Sequence, residues 1–260
     1  MSDTARRVGG AAVSDTAPRR VLLADLTWQE ADRLAPGTLL AVPLGATEQH
    51  GPHLPLGTDS RIARAMALEL AARRPDVVVA PTVPFGSSGE HAGFAGTLSI
   101  GRHALESLVV ELVRSADGFG GVVLVSAHGG NAEALRRAVR TLTDEGRQVI
   151  AWWPRSSAVE GVDHSVAPDA HAGWVETSLL LALAPDLVRG DLAEAGDRRP
   201  LAEVAGALFQ AGVASVSANG VLGDPAGASA QTGRILVDRL VADLGSAVDE
   251  RFGHREAHGA

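Results

Sequence analysis

Five short stretches of this chain, residues 21–26, 38–44, 77–83, 122–125 and 149–153, are apolar along most of their length, and this narrows the accessible folds more than any other feature. A strand with one face in water alternates apolar and polar residues, whereas a run apolar at nearly every position has to be covered on both faces. Segments of helical spacing lie between these runs. Thr27 and Glu30 form a capping-box pattern that opens a helix to about Leu34. Ile62, Ala65, Met66, Leu68, Leu70 and Ala71 fit a helix starting near Arg61 and ending before Pro75, and Leu105, Leu108, Val109, Leu112 and Val113 fit one over residues 103–116. Further helices are read at 132–142, around 179–183, and as a long amphipathic element over 228–252. From Leu201 onward the pattern weakens, and 213–216 is open to reading as another strand. Strands alternating with helices predict an α/β fold, a three-layer α/β/α arrangement around a mainly parallel sheet.

Residues 44–59 read LGATEQHGPHLPLGTD, and Gly45, Gly51, Pro52, Pro55 and Gly57 prevent this stretch from being a helix. On extended backbone, residues two apart point the same way, so Glu48 and His50 converge. Asp59 follows at a helix start, where a carboxylate is electrostatically favoured. Glu, His and Asp are donors that suit zinc, manganese or iron(II), and a carboxylate can bridge two such ions. Taken alone, the stretch also fits a surface turn in which Asp59 only caps its helix. Position in the fold favours the metal reading. In parallel α/β sheets ligands gather outside the carboxyl ends of the strands, and the stretches 48–59, Glu90 with His91, 128–131 and 169–176 each follow a predicted strand. His128 is followed by Gly129 and Gly130, which let the backbone pass close to an ion or a substrate. Asn131 either caps the next helix or faces substrate, and Glu90 and His91, in a glycine-rich loop, are candidates for substrate contact.

With 260 residues, 45% of them hydrophobic, the chain has material for a sizeable core. We read residues 1–20 as a disordered arm, 21–252 as one domain and 253–260 as a frayed tail. A net charge of −8 without any long basic run argues against nucleic acid and anionic membrane as partners. Cysteine and tyrosine are both absent, which removes thiolate ligands, Cys nucleophiles and Tyr general acids. The N-terminal residues lack the apolar core of a signal peptide and no apolar run is long enough to span a bilayer, so the expectation is a cytoplasmic protein.

The segments ATEQHGPHLPLGTD, SAHGGN and HAGWVETS together resemble the creatininase family of metal-dependent amidohydrolases, and the similarity runs over roughly residues 21–252. The resemblance implies a creatininase-like fold, a homo-oligomer of hexameric size, and two divalent ions per chain, zinc, iron(II) or manganese. It implies Glu48, His50, Asp59, His128 and Glu176 as ligands: Asp59 bridging, Glu48 and His128 on one ion, His50 and Glu176 on the other. His171 would then be the catalytic histidine, taking a proton from water activated by the two ions and passing it to the leaving nitrogen. SGEHAGFAGTLSIG, DAHAGWVETS and GVLGDP resemble a peptidase branch of the family that removes a C-terminal dipeptide from a modified precursor peptide. Gly130 and Ala167 stand where creatininase proper has a glutamate and a tryptophan, which speaks against creatinine as substrate; another small cyclic amide is the alternative. Trp152, Trp153 and Trp174 are read as packing residues.

Overall fold

In the computed structural model, residues 22–162 and 169–253 are described. The expected arm at 1–20, Ala167, and the expected tail beyond Gly253 lie outside the described residues. Helix α1 (Trp28–Leu34) opens with the expected capping box, Thr27 and Glu30 satisfying each other's backbone N–H groups. Strand β1 (Leu39–Leu44) leads through the loop of candidate ligands into α2 (Thr58–Arg73), then β2 (Val77–Val79), α3 (Arg102–Arg114), β3 (Gly121–Ser126), α4 (Ala132–Asp144), β4 (Val149–Trp152), a short α5 (Ser156–Val159), α6 (Trp174–Leu183), α7 (Leu201–Ala211) and α8 (Ala230–Phe252).

The four strands form one parallel sheet in the order β2-β1-β3-β4. All six residues of β1 and of β3 are buried, as a strand covered on both faces requires. The period of two splits the sheet between two cores. Leu39 and Ala41 face Ile62, Met66, Leu180 and Leu240 from α2, α6 and α8, while Leu40, Val42 and Leu44 face Leu105, Val109, Leu135 and Leu142 from α3 and α4. Each such leucine contributes on the order of 1.5–3 kcal/mol by leaving water. Trp152 and Trp174 are core residues, and Trp153 packs under the Arg136 guanidinium.

Three expected strands are corrected. Of the strand expected at 21–26, Val21 lies outside the described residues; among residues 22–26 only Leu22 pairs, bridging Val79 at the sheet edge, and the chain turns at once into a 3₁₀ turn over Leu23–Asp25. An edge position offers one ladder, and the Asp25 side of the stretch faces out. The strand expected at 77–83 ends at Val79: the Ala80 N–H still reaches the Ala41 carbonyl, but beyond Pro81 contact resumes only where the Val83 N–H reaches the Pro43 carbonyl, one residue out of the two-residue period of the ladder. Residues Val213–Ser215 form a 3₁₀ turn, not a strand, behind the unannounced helix α7.

Candidate metal centre

The loop after β1 carries Glu48 and His50, pinned by bridges from Thr47 to Leu98 and from His50 to Leu54. Helix α2 begins at Thr58, so Asp59 sits inside its first turn with 1% exposure. Strand β3 delivers His128. His171 pairs with Leu222 just before α6, whose first turn holds Glu176. Between them Ala172 adopts φ 54°, unusual for a residue with a Cβ, and its N–H donates to Glu176 Oε2 at 2.6 Å. That kink turns His171 and Glu176 toward the same point despite their five-residue separation.

The five expected ligands and His171 therefore meet. Asp59 lies at the middle, with Oδ1 3.1 Å from His50 Nε2 and Oδ2 3.4 Å from His128 Nδ1. Glu48 Oε1 is 3.2 Å from His128 Nδ1, and Glu176 Oε2 is 3.8 Å from His50 Nε2. The two oxygens of Asp59 thus look toward two different pairs, Glu48 with His128 and His50 with Glu176. His171 Nδ1 stands 3.9 Å from Glu48 Oε1, and its ring stacks 4.4 Å from that of His50.

Backbone carbonyls set how the imidazoles face. A carbonyl only accepts, so the nitrogen against it carries a proton. His50 Nδ1 donates to the Glu48 carbonyl at 3.2 Å, His128 Nε2 to the Ser87 carbonyl at 3.1 Å, and His171 Nε2 to the Gln49 carbonyl at 2.8 Å. Each ring is left with its other nitrogen toward the carboxylates. This is the outer hydrogen bonding that orients metal-ligating histidines.

Both oxygens of Glu48 and Oδ2 of Asp59 are buried without a hydrogen-bond donor; the nearby imidazole nitrogens are close enough but lack the direction of a hydrogen bond. Buried carboxylate oxygens without donors are costly unless a cation neutralises them. In the absence of metal, protons take that role. Burial alone would lower His50 and His128, yet Asp59 beside the first and Glu48 beside the second push both up to about 10. Burial would raise Glu48, but His128 holds it well below the usual carboxylate range, and burial raises Asp59 to about 6 despite His50. His171 is pushed down to about 4 by burial and by the neighbouring His50 charge. A donor set of buried oxygens and imidazole nitrogens, anchored from outside and held in self-neutralising pairs, fits divalent cations.

The three expected substrate contacts separate. Glu90 stands at the rim, with Oε1 3.8 Å from His128 Nε2, and lines an open cleft of about 820 Å³ together with Ser87, Gly129, Gly130, Arg102 and Phe209. Gly130 makes that approach possible, since a Cβ there would stand 2.4 Å from His128 Nε2 and 2.6 Å from Glu90 Oε1. His91 is buried, its Nε2 3.4 Å from Glu48 Oε1. Asn131 neither caps α4 nor faces the cleft: its amide accepts the Ser87 N–H and donates to the Gly45 carbonyl, tying the loops after β1 and β2 together. Sequence reasoning missed Gln49, which strict alternation turns away from Glu48 and His50. Its side chain instead folds back to 2.9 Å from His91 Nδ1. Its place between two ligands was the one available signal.

Known proteins are similar to this chain over most of its length. A mycofactocin precursor peptide peptidase from Mycobacterium ulcerans (strain Agy99) is 46% identical over 218 residues, 80% of this chain and 84% of that protein. The crystal structure of a creatinine amidohydrolase matches with a TM-score of 0.77 at 27% identity, covering 90% of this chain and 99% of the other. A creatininase mutant described as of Zn-Zn type matches with a TM-score of 0.73 at 27% identity, covering 90% and 99%. The family model for creatininase, described as creatinine amidohydrolase, matches residues 24–248, and the chain belongs to the creatininase family of amidohydrolases.

Proposed function

We propose that this protein is a metal-dependent peptidase that hydrolyses an amide bond near the C-terminus of a modified precursor peptide, releasing a dipeptide in mycofactocin biosynthesis. The observation that carries the metallohydrolase part is the set of buried, donorless oxygens of Glu48 and Asp59 facing imidazoles anchored from outside. The peptide substrate is supported by the 46% identity to a mycofactocin precursor peptide peptidase and by a cleft of about 820 Å³, roomier than a small cyclic amide needs.

In this reading Glu48, His50, Asp59, His128 and Glu176 would hold two divalent ions, with Asp59 between the two pairs. The donors are oxygen and imidazole nitrogen without thiolate, a set that suits zinc, iron(II) or manganese. When bound, such ions polarise the amide carbonyl and lower the pKa of water toward neutrality. His171 takes the water proton at Nδ1 as the oxygen joins the carbonyl carbon, and gives it to the amine nitrogen as the C–N bond breaks. Burial first and the charge on His50 second push the His171 imidazole down to about 4, and the second of these causes is lifted when His50 ligates as the neutral ring. Glu90, at the rim, is positioned for the peptide backbone on its way to the centre. The protein acts in the cytoplasm as a homo-oligomer, a hexamer by family expectation; among the described residues no helix is long and apolar enough to cross a membrane. Light scattering that found a monomer at micromolar concentration would contradict the assembly.

Mass spectrometry of the modified precursor peptide, incubated with protein loaded with zinc, iron(II) or manganese, tests the activity. The expected result is a peptide shortened at its C-terminus and a released dipeptide. An intact peptide alongside brisk opening of creatinine would assign the protein to the other branch of the family.

A further inference from the structure

Four imidazoles surround Glu48, those of His50, His91, His128 and His171. Three of them have a backbone carbonyl against the outer nitrogen. His91 has an amide there instead. Gln49 Nε2 lies 2.9 Å from His91 Nδ1 and 3.0 Å from the Gly220 carbonyl oxygen, and Gln49 Oε1 accepts the Gly51 N–H at 2.9 Å. A backbone N–H can only donate and a carbonyl can only accept, so these two contacts fix which end of the amide is which. Gln49 Nε2 is also 3.1 Å from His171 Nε2, but that nitrogen already carries the proton it gives to the Gln49 carbonyl at 2.8 Å. The two amide protons therefore go to His91 Nδ1 and to Gly220. His91 Nδ1 is an acceptor, so in the neutral ring the proton sits on Nε2, the nitrogen 3.4 Å from Glu48 Oε1. The amide is seated closely: Gly220 has φ +81°, and a Cβ there would stand 1.9 Å from Gln49 Oε1.

We propose that Gln49 is a positioning residue that sets the protonation geometry of this pair, so that His91 faces the centre as an uncharged N–H donor while His171 faces it with a free nitrogen lone pair. Glu48, His91 and His171 lie within ligating distance of one another, so spacing alone would admit a cation there. The N–H on His91 removes it from the ligand set and from proton abstraction. What it supplies is an N–H turned toward negative charge, with Glu48 Oε1 3.4 Å away, and available to the amide oxygen as that oxygen gains charge during attack. This division of labour rests on the peptidase reading above; the protonation geometry itself does not.

Nitrogen-15 histidine labelling of the full-length, metal-free protein reads the geometry directly, with signals assigned through His91→Gln and His171→Gln. In the wild type His91 is expected to be protonated on Nε2, with Nδ1 showing the shift of a hydrogen-bond acceptor, and that signature disappears in Gln49→Leu. In Gln49→Glu, which replaces the donor with an acceptor, the His91 proton moves to Nδ1. A wild-type His91 protonated on Nδ1 with Nε2 bare overturns the proposal, and this spectrum decides even if the Gln49 variants do not fold. Metal analysis adds a second readout: His91→Ala is expected to hold as much metal as wild type, and loss of an ion would make His91 a ligand. In turnover, His91→Ala is expected to lose on the order of 10²–10³ in kcat, the scale of one donor to a developing oxyanion. His91→Gln, whose amide N–H reaches the Nε2 position, recovers part of that; equal losses in the two variants overturn the donor role. If wild-type protein leaves the precursor peptide intact while the spectrum is as expected, it is the peptidase reading that fails.

Discussion

Around Asp59 the protein places at its most buried positions groups that water would solvate far better, while around Phe209, 87% exposed, it leaves an aromatic ring in water at the edge of the same site. The centre is held by elements that cannot shift independently: the end of β1, the first turn of α2, the end of β3 and the first turn of α6. Its outer hydrogen bonds go to backbone carbonyls of Glu48 and Gln49, in the loop after β1, and of Ser87, in the loop after β2. The rim is assembled from a glycine-rich 3₁₀ turn and from α7, which buries only Val204. Groups whose chemistry requires placement within a fraction of an ångström sit on the packed sheet, and the open cleft is bordered by the loosely attached α7.

The largest test of that contrast is Asp59→Ala. Under the proposed assignment Asp59 serves both ions, so this variant is expected to retain fewer than two ions per chain by elemental analysis and to fall to background activity. Retention of both ions with full turnover would remove Asp59 from the centre. Next, His171→Ala is expected to keep both ions and lose at least about a hundredfold in rate, the lower range for general acid–base catalysis; loss of metal as well would move His171 into the ligand set.

A third test concerns protons. His50 and His128 are pushed up to about 10 in the metal-free centre, so both rings carry an extra proton at neutral pH and must release it to ligate. Metal loading should therefore expel protons, and apparent affinity should rise as pH climbs toward about 10 and fall on acidification, further below about 6 where Asp59 protonates. Titration calorimetry in buffers of different ionisation heat measures the number released, and no release would show that the paired state of the centre is wrong. The smallest effect belongs to the rim. Phe209→Ala is expected to raise KM for peptide roughly fivefold, about 1 kcal/mol of apolar contact, and to move kcat little. A kcat loss as large as that of His171→Ala would erase the distinction between centre and border.

Much of this architecture is legible in the order of the residues. The apolar runs announce β1, β3 and β4 because a strand buried on both faces has no use for polar residues, and the rule that ligands gather beyond strand carboxyl ends brings 48–59, His128 and 169–176 to one edge. Local signals fail where tertiary context competes with them. Residues 21–26 look like a strand, yet among the described residues 22–26 only Leu22 meets the ladder at the sheet edge. Helix α7 hides behind a weak pattern because so little of it is buried. Asn131 sits among candidate ligands in sequence, but its amide is claimed by the Gly45 and Ser87 backbones.

The sequence by itself determined the α/β class, the ligand types and the ends of the strands that carry them, since periodicity and side-chain chemistry are properties of neighbours along the chain. Only the tertiary structure decided which nitrogen of His91, His128 and His171 looks inward. That choice is made by carbonyls and an amide from other parts of the chain: Ser87 for His128, Gln49 for both His91 and His171. A hydrogen bond between residues 42 or 122 positions apart depends on how the layers pack, and leaves no period in the sequence to be read.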